Sequence, residues 1–424
     1  MIGVGFGCIA VPVIGGEPMG GYADREAGVS GTLDPLTVRV LTIHDGNSRF
    51  ALIVCDVICV NEDLVNEIRA LVDATICWVT ATHTHASPES GCHPGGAATP
   101  KSVLERFRDA AVEAFHRALE AEEPLGAAFT RVDVNGVAGQ RASSSESTSI
   151  PVDVIELVDA ERRIHGVFVN LPAHPTVLPA SNTLVSADLV GGVRQAIQAR
   201  FVAQGEAPWV IVTTGAAGDI STRHTRPSRS PEAVAELGDR LATALDAAEG
   251  ETETVWSFDG HHELLGAVGT IELSRKTRAD VRLPPIADSH RETASSDEPA
   301  SRIEFTRQQG IAIARSLVLT EGPEYYRVEL RALTLGSLTL VAVPAELFLR
   351  LGESIRSRLA PAVAVVIGYA NGYLGYLPDE ASFESPSYET FASPVAKGSG
   401  ELIVDLAVEV GRRLRKPIRN GSMS

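Results

Sequence analysis

Two histidines two residues apart stand in Ala81-Thr82-His83-Thr84-His85-Ala86-Ser87-Pro88, directly after an apolar run ending at Val79 and Thr80. On an extended chain such side chains share a face, so His83 and His85 can enter one site, one as a metal ligand and the other for acid–base work. Read alone, the segment is more simply a polar turn. A third histidine, His174, follows the apolar run Gly166-Val167-Phe168-Val169 in Leu171-Pro172-Ala173-His174-Pro175-Thr176. Trp209-Val210-Ile211-Val212 leads through Gly215-Ala216-Ala217-Gly218 to Asp219 and Ser221, and small residues there let a backbone or a substrate approach closely. Leu338-Thr339-Leu340-Val341-Ala342 leads to Glu346, which the spacing of Leu347 to Leu351 puts in a first helical turn, where its charge also suits the helix dipole. The apolar run Ala362 to Ile367 precedes Tyr373 and Tyr376. Two histidines and a glutamate are a familiar tetrahedral zinc set with a position left for water. Such a metal lowers the pKa of bound water towards about 7 and polarises a carbonyl oxygen.

Alternating strands and helices must position these residues. Leu36 to Ile43 and Phe50 to Cys55 are strand-like, and so are Cys77 to Thr80, Val152 to Leu157, Gly166 to Val169, Trp209 to Val212, Leu338 to Ala342 and Ala362 to Ile367. Helical spacing recurs from Asn61 to Val72, Val103 to Leu119 and Glu304 to Leu317, with a further helix to about Arg200 that Ser186 can cap. This alternation predicts an α/β fold. In such folds ligands gather at the carboxyl ends of strands, where all five chemical segments fall. Between Arg275 and Ile303 periodicity lapses among Pro, Asp, Ser, Arg and Glu, which predicts a long surface loop within one domain spanning 1–415, followed by a tail over 416–424.

Composition narrows the function. With 424 residues, 44% of them hydrophobic, the chain can bury a large core, and no stretch approaches the ~20 apolar residues of a membrane span. Met1-Ile2-Gly3-Val4-Gly5 lacks a basic region ahead of an apolar one, so a cytoplasmic location is expected. A net charge of −17 disfavours nucleic acid and anionic membranes as partners. Five cysteines without CxxC spacing read as free thiols, mostly buried. Gly215 to Gly218 matches neither common phosphate-loop pattern.

At its motifs the chain resembles the N-terminal catalytic domain of the neutral/alkaline non-lysosomal ceramidases, in particular short bacterial-type members. The markers are Met19-Gly20-Gly21-Tyr22 with Asp34-Pro35-Leu36, Thr82-His83-Thr84-His85, Ala173-His174-Pro175-Thr176 with Ser186-Ala187-Asp188, Gly218-Asp219-Ile220-Ser221, Val343-Pro344-Ala345-Glu346, and the segment from Tyr373 to Tyr388. The resemblance implies a large mixed sheet core with flanking helices and one zinc per chain, held by His83, His174, Glu346 and Tyr376. Tyr376 is preferred to Tyr373 because the family's second active-site tyrosine lies twelve residues past the ligand, as Tyr388 does here. It further implies that His85 and Tyr388 flank the scissile carbonyl, that Ser221 is nucleophile or substrate positioner beside the metal, and that Arg141 is the active-site arginine. Where ceramidases usually continue with proline and asparagine the chain has Ser221-Thr222-Arg223, and a signal peptide and an immunoglobulin-like C-terminal domain are not expected. The implied activity is hydrolysis of an N-acyl amide in a small soluble substrate, without stable membrane association and with assembly into a homo-oligomer left open. The alternatives are a true ceramidase acting on N-acylsphingosine, a zinc esterase or cyclic-amide hydrolase, and a non-catalytic metal-binding subunit.

Overall fold

The computed structural model describes residues 1–142, 149–248, 252–284 and 299–415. Three mixed sheets dominate it, as the alternation of strand and helix signals predicts. The first contains β1 (Gly3–Ala10), β2 (Thr37–His44), β3 (Arg49–Cys55) and β4 (Ile76–Ala81) in the order β4-β3-β2-β1, with the two-residue strand Glu123–Pro124 at its edge. The second contains β5 (Gly126–Asn135), β6 (Ser149–Val158), β7 (Ile164–Leu171), β8 (Trp209–Thr214) and β9 (Glu253–Trp256) in the order β8-β7-β6-β5-β9. The third is β10 (Leu265–Ser274), β11 (Tyr325–Leu335), β12 (Leu338–Ala342) and β13 (Val363–Ile367) in chain order. Each sheet is antiparallel except for one parallel pair: β3 with β4, β7 with β8, β12 with β13.

Strands buried on both faces explain the continuous apolar runs of the sequence. In β3, Phe50, Leu52 and Val54 enter one core while Ala51, Ile53 and Cys55 enter another, the two-residue period of a strand. The first core lies between the sheets, where Phe50, Trp78, Phe168, Ile211, Leu340 and Val365 meet. Outer faces are covered by helices: α1 (Glu62–Leu71), α2 (Lys101–Glu120), α3 (Asp188–Ala203) and α4 (Pro231–Asp246) share a core with the first two sheets. The third sheet packs against α6 (Leu349–Leu359) and α8 (Ser399–Arg413). Two further helices, α5 (Pro299–Leu319) and α7 (Tyr388–Ala392), pack on one another.

Three local expectations need correction. Helix α5 begins at Pro299, inside the segment read as a loop; residues 285–298 of that segment and the tail 416–424 lie outside the described residues. Ser186 does not cap α3. Its hydroxyl accepts from the Asp188 amide and donates to Asp34, while Ala187 occupies the cap position. Glu346 is not helical, because it forms a two-residue parallel bridge with Tyr376 and α6 starts only at Leu349. Among the described residues no helix is long and apolar enough to cross a membrane.

Candidate active site

The parallel pairs end at one place. Backbone hydrogen bonds stitch their carboxyl ends together: Ala81 N–H to Tyr369 O (3.1 Å), Gly368 N–H to Thr214 O (3.0 Å) and Gly215 N–H to Leu171 O (3.0 Å). Past these ends the chain delivers His83 after β4, His174 after β7, Asp219 and Ser221 after β8, Glu346 after β12 and the tyrosines after β13. His83 (φ 63°), Tyr369 (φ 55°) and Asn371 (φ 67°) hold left-handed conformations that cost an L-residue energy, and such strain concentrates at functional sites. His83 therefore does not lie on an extended strand. The side chains of His83 and His85 converge through this turn and not through the two-residue period of a strand.

Glu346 is the centre of the cluster. Its Oε2 lies 2.9 Å from His174 Nε2 and 3.3 Å from His83 Nε2, and all three side chains are buried. Each histidine turns its other nitrogen to a backbone carbonyl, His83 Nδ1 to Ile58 O and His174 Nδ1 to Ala217 O, both at 2.6 Å. A carbonyl only accepts, so Nδ1 carries the proton and in the neutral ring each Nε2 turns a lone pair towards the carboxylate. Two lone pairs and a carboxylate in one dry space repel unless a cation joins them. This donor set fits zinc, with the backbone carbonyls fixing the tautomers of the two rings as partners of ligand histidines do. His85 is the least enclosed of the three histidines. Its Nε2 lies 3.4 Å from His83 Nε2 and its buried Nδ1 has no partner among the described residues, so no tautomer is imposed on it. Metal-binding atoms of His83, His85 and His174 all lie within 4.8 Å of one another, so a metal could also engage all three. Burial, then Arg141, lowers the pKa of His174 to about 4, and burial with its two neighbouring histidines holds His85 well below the usual range.

Around this cluster stand the other residues singled out in the sequence. Arg141 is buried, ion-paired with Glu389, and donates from Nη2 to the Tyr376 hydroxyl at 2.8 Å. The Tyr376 ring stacks on His174 with centroids 6.2 Å apart, and Tyr388 meets Tyr376 edge-on at 5.7 Å. The hydroxyl that touches Glu346 is that of Tyr373, 2.5 Å from Oε1. Ser221 is buried beside His174, to which its backbone is bridged. Asp219 acts on the scaffold: its Oδ1 accepts from Leu349 N–H at 2.8 Å at the start of α6, and burial raises its pKa to about 6. The small residues before it serve a backbone approach by the protein itself, since a Cβ on Gly218 would stand 2.3 Å from Glu346 O. Asp188 accepts from Val177 N–H and Leu178 N–H (2.9 and 3.0 Å) and so holds the loop that follows His174. A cavity of about 620 Å³ opens over the cluster, and His83, His85, Arg141, Ser221, Glu346, Tyr376 and Tyr388 all reach it.

No protein-family model and no curated protein matches the sequence. Solved structures do match. A ceramidase complexed with C2 superposes with a TM-score of 0.74 at 17% identity, over 97% of this chain and 76% of that one. Neutral ceramidase from Pseudomonas aeruginosa superposes at 0.72, also at 17% identity, over 98% of this chain and 75% of that one. The chain has the neutral ceramidase fold. The ceramidase fold places the five chemical segments at the ends of its three parallel pairs, a convergence that no single segment reveals. Sequence reasoning gave no site role to the arginines of the cavity wall, Arg223, Arg226, Arg229 and Arg302, or to Tyr22, a marker of the resemblance whose ring packs edge-on against His85 at 4.9 Å. For the first three arginines, their clustering with His224 between residues 223 and 229 of an acidic chain was the available signal.

Proposed function

We propose that the chain is a zinc-dependent amide hydrolase acting on a small N-acyl compound. The reading rests on the buried Glu346 carboxylate between His83 and His174, with tautomers set for ligation, at the floor of a cavity in the ceramidase fold. In this reading His83, His174, Glu346 and Tyr376 hold the ion, which supplies Lewis-acid polarisation of the carbonyl and a nucleophile at neutral pH.

The chain's own residues supply the rest. Glu389 neutralises Arg141, whose guanidinium presents N–H groups to Tyr376 and thereby fixes that phenol over His174. Tyr388, on the first turn of α7, faces the cavity as a hydrogen-bond donor for the carbonyl oxygen. His85 moves protons. With no carbonyl holding either ring nitrogen, it can take a proton on one side and give it to the leaving amine. Ser221 borders the same space, placed either to attack or to orient the acyl group.

The test joins metal content to turnover. The purified protein is expected to carry about one zinc per chain, to lose it on His83→Ala or His174→Ala, and to release amine from an acetyl-to-palmitoyl series of N-acyl amines. Unchanged zinc in both variants overturns the ligand assignment; zinc without hydrolysis of any member overturns the reaction.

A further inference from the structure

The cavity wall carries charge that the reaction itself does not require. Besides Arg141, it presents Arg223, Arg226, Arg229 and Arg302, against the carboxylates of Asp24, Glu89 and the cluster's own Glu346. Arg302 lies 3.5 Å from Asp24, and Glu89 spends Oε1 on the amides of Gly91 and Cys92. Arg223 and Arg226 are different. Arg223 donates to the Arg141 carbonyl (2.8 Å) and Arg226 to the Thr176 carbonyl (3.0 Å), and among the described residues neither has a carboxylate within ion-pair distance. Glu389, already paired with Arg141, and Asp188, which holds the amides of Val177 and Leu178, act on them only from beyond that distance. A largely buried guanidinium without a direct ion pair is costly, and a chain of net charge −17 has carboxylates to spare for surface pairing. Their gathering in the cavity marks a place where an anion arrives from outside.

The wall is also polarised along α5. Arg302, Thr306, Gln309, Ile313, Ser316 and Leu317 line the cavity at three- and four-residue spacing, one face of a helix. Fifteen residues of helix put the aliphatic end about 22 Å from the arginine end. Ala392 and Pro94 also line the cavity, and Arg302, at the other end of this face, acts electrostatically on both Arg223 and Arg226. Such a cavity suits a molecule with an apolar group on one side of the reacting bond and a negative charge on the other.

We infer that the substrate is an anionic N-acyl compound, whose carboxylate or phosphate on the amine side is held by Arg223 and Arg226 while the acyl group points along α5 towards Ile313 and Leu317. This rests on the amide-hydrolase reading, and it separates the chain from enzymes that take neutral amides. Arginine suits the task because its planar fork meets both oxygens of a carboxylate or two of a phosphate.

Four probes sharing one acyl group test it: N-hexanoylglycine, N-hexanoylethanolamine phosphate, and their neutral counterparts N-hexanoylglycinamide and N-hexanoylethanolamine. With the zinc-loaded full chain, kcat/KM for the better anionic probe should exceed that of its neutral counterpart by about a hundredfold, since rejection of the analogue leaves buried donors unpaired. Which anion is preferred tells carboxylate from phosphate. Raising the salt concentration, or Arg226→Gln, should cut that selectivity ratio at least about tenfold; Arg223→Gln should do the same, with zinc content and circular dichroism reporting that each variant is folded. Neutral and anionic probes turned over within about threefold of each other overturn the inference and leave the amide-hydrolase reading standing. If none of the four is hydrolysed, calorimetry decides: binding of N-hexanoylglycine that Arg226→Gln abolishes supports the anion site while the hydrolase reading falls, and no binding overturns both.

Discussion

Glu346 is held from both of its oxygens, each engaged by groups on different segments. Oε2 faces the two histidines and Oε1 accepts from Tyr373. Tyr373 thus reads as a partner that orients the carboxylate, whereas burial holds the Tyr376 phenol well above its usual pKa and the Arg141 guanidinium bonded to its oxygen opposes that rise, assisting the phenolate that a metal ligand needs. From this follows an ordering: Tyr376→Phe should weaken zinc affinity more than Tyr373→Phe, with the latter costing about ten- to a hundredfold as the loss of a ligand's supporting hydrogen bond does. Competition with a chromophoric chelator measures both, and the reverse ordering would assign the ligand to Tyr373. Ser221→Ala should retain zinc and lower kcat by about a hundredfold or more. Mass spectrometry of the quenched wild-type reaction then separates the roles, since an acyl group on Ser221 marks a nucleophile and its absence in single turnovers marks a positioning residue. The spacing of His83 and His85, and the position of His174 and Glu346 past apolar runs, made these residues legible in the sequence. Arg223 and Arg226 were not, because an arginine's meaning depends on whether a carboxylate stands beside it, and that is a property of the fold alone.

At the scale of elements, what the sequence shows well is any strand buried on both faces. Leu338 to Ala342 is strand from end to end as read, and Phe50 to Cys55 gains only Arg49. Strand β1 is hidden because its sequence is rich in glycine, a residue that ordinarily weakens strands. The reason lies across the sheet in α2: a Cβ on Gly5 would fall 2.0 Å from Ala118 O, and one on Gly7 would fall 1.9 Å from Ala114 O. Strand β10 is hidden because Gly266 and Gly269 interrupt the apolar pattern of its first half. The cavity's outer wall has a different kind of tether. Lys276 is buried, and its Nζ donates to the carbonyls of Thr390 (2.5 Å) and Phe391 (3.0 Å) at the end of α7, the helix that carries Tyr388. Burial lowers its pKa to about 7, with Asp280 opposing the shift. The unfolded chain keeps this proton up to about pH 10.4. Between these values the unfolded state binds more protons than the folded one, so the contribution of Lys276 to stability rises with pH from about 7 to 10.4 and is level below that window. Lys276→Met should remove this slope. The difference in unfolding free energy between wild type and variant, measured by urea titration, should then grow by up to about 1.4 kcal/mol per pH unit above pH 7; a difference independent of pH would show that the lysine stays charged in the folded protein.

For the molecule as a whole, the sign of the charge changes between surface and cavity. A net charge of −17 opposes approach to an anionic leaflet, while the arginines lining the cavity present positive charge to a small anion. The fold is shared with neutral ceramidases, and a long-chain N-acyl lipid would have to leave a membrane or micelle to enter this cavity. Each methylene of an acyl chain that leaves water contributes about 0.8 kcal/mol, close to a fourfold gain in kcat/KM where the group binding it is realised in the transition state. That gain continues only as far as apolar wall is available, and along α5 that wall is the short stretch from Ile313 to Leu317. We therefore expect kcat/KM to climb over the first few methylenes of an N-acyl series and then level off, with N-palmitoylsphingosine in anionic vesicles cleaved poorly. Measuring the series in free solution, and the lipid in vesicles with and without anionic headgroups, separates the two physical causes. A plateau in solution reports the length of the apolar wall, and slower cleavage on anionic vesicles than on neutral ones reports repulsion by the surface. A steady rise to sixteen carbons together with rapid cleavage in vesicles of both kinds would mean that the cavity continues as an apolar channel, and that the arginines face a lipid headgroup instead of a soluble anion.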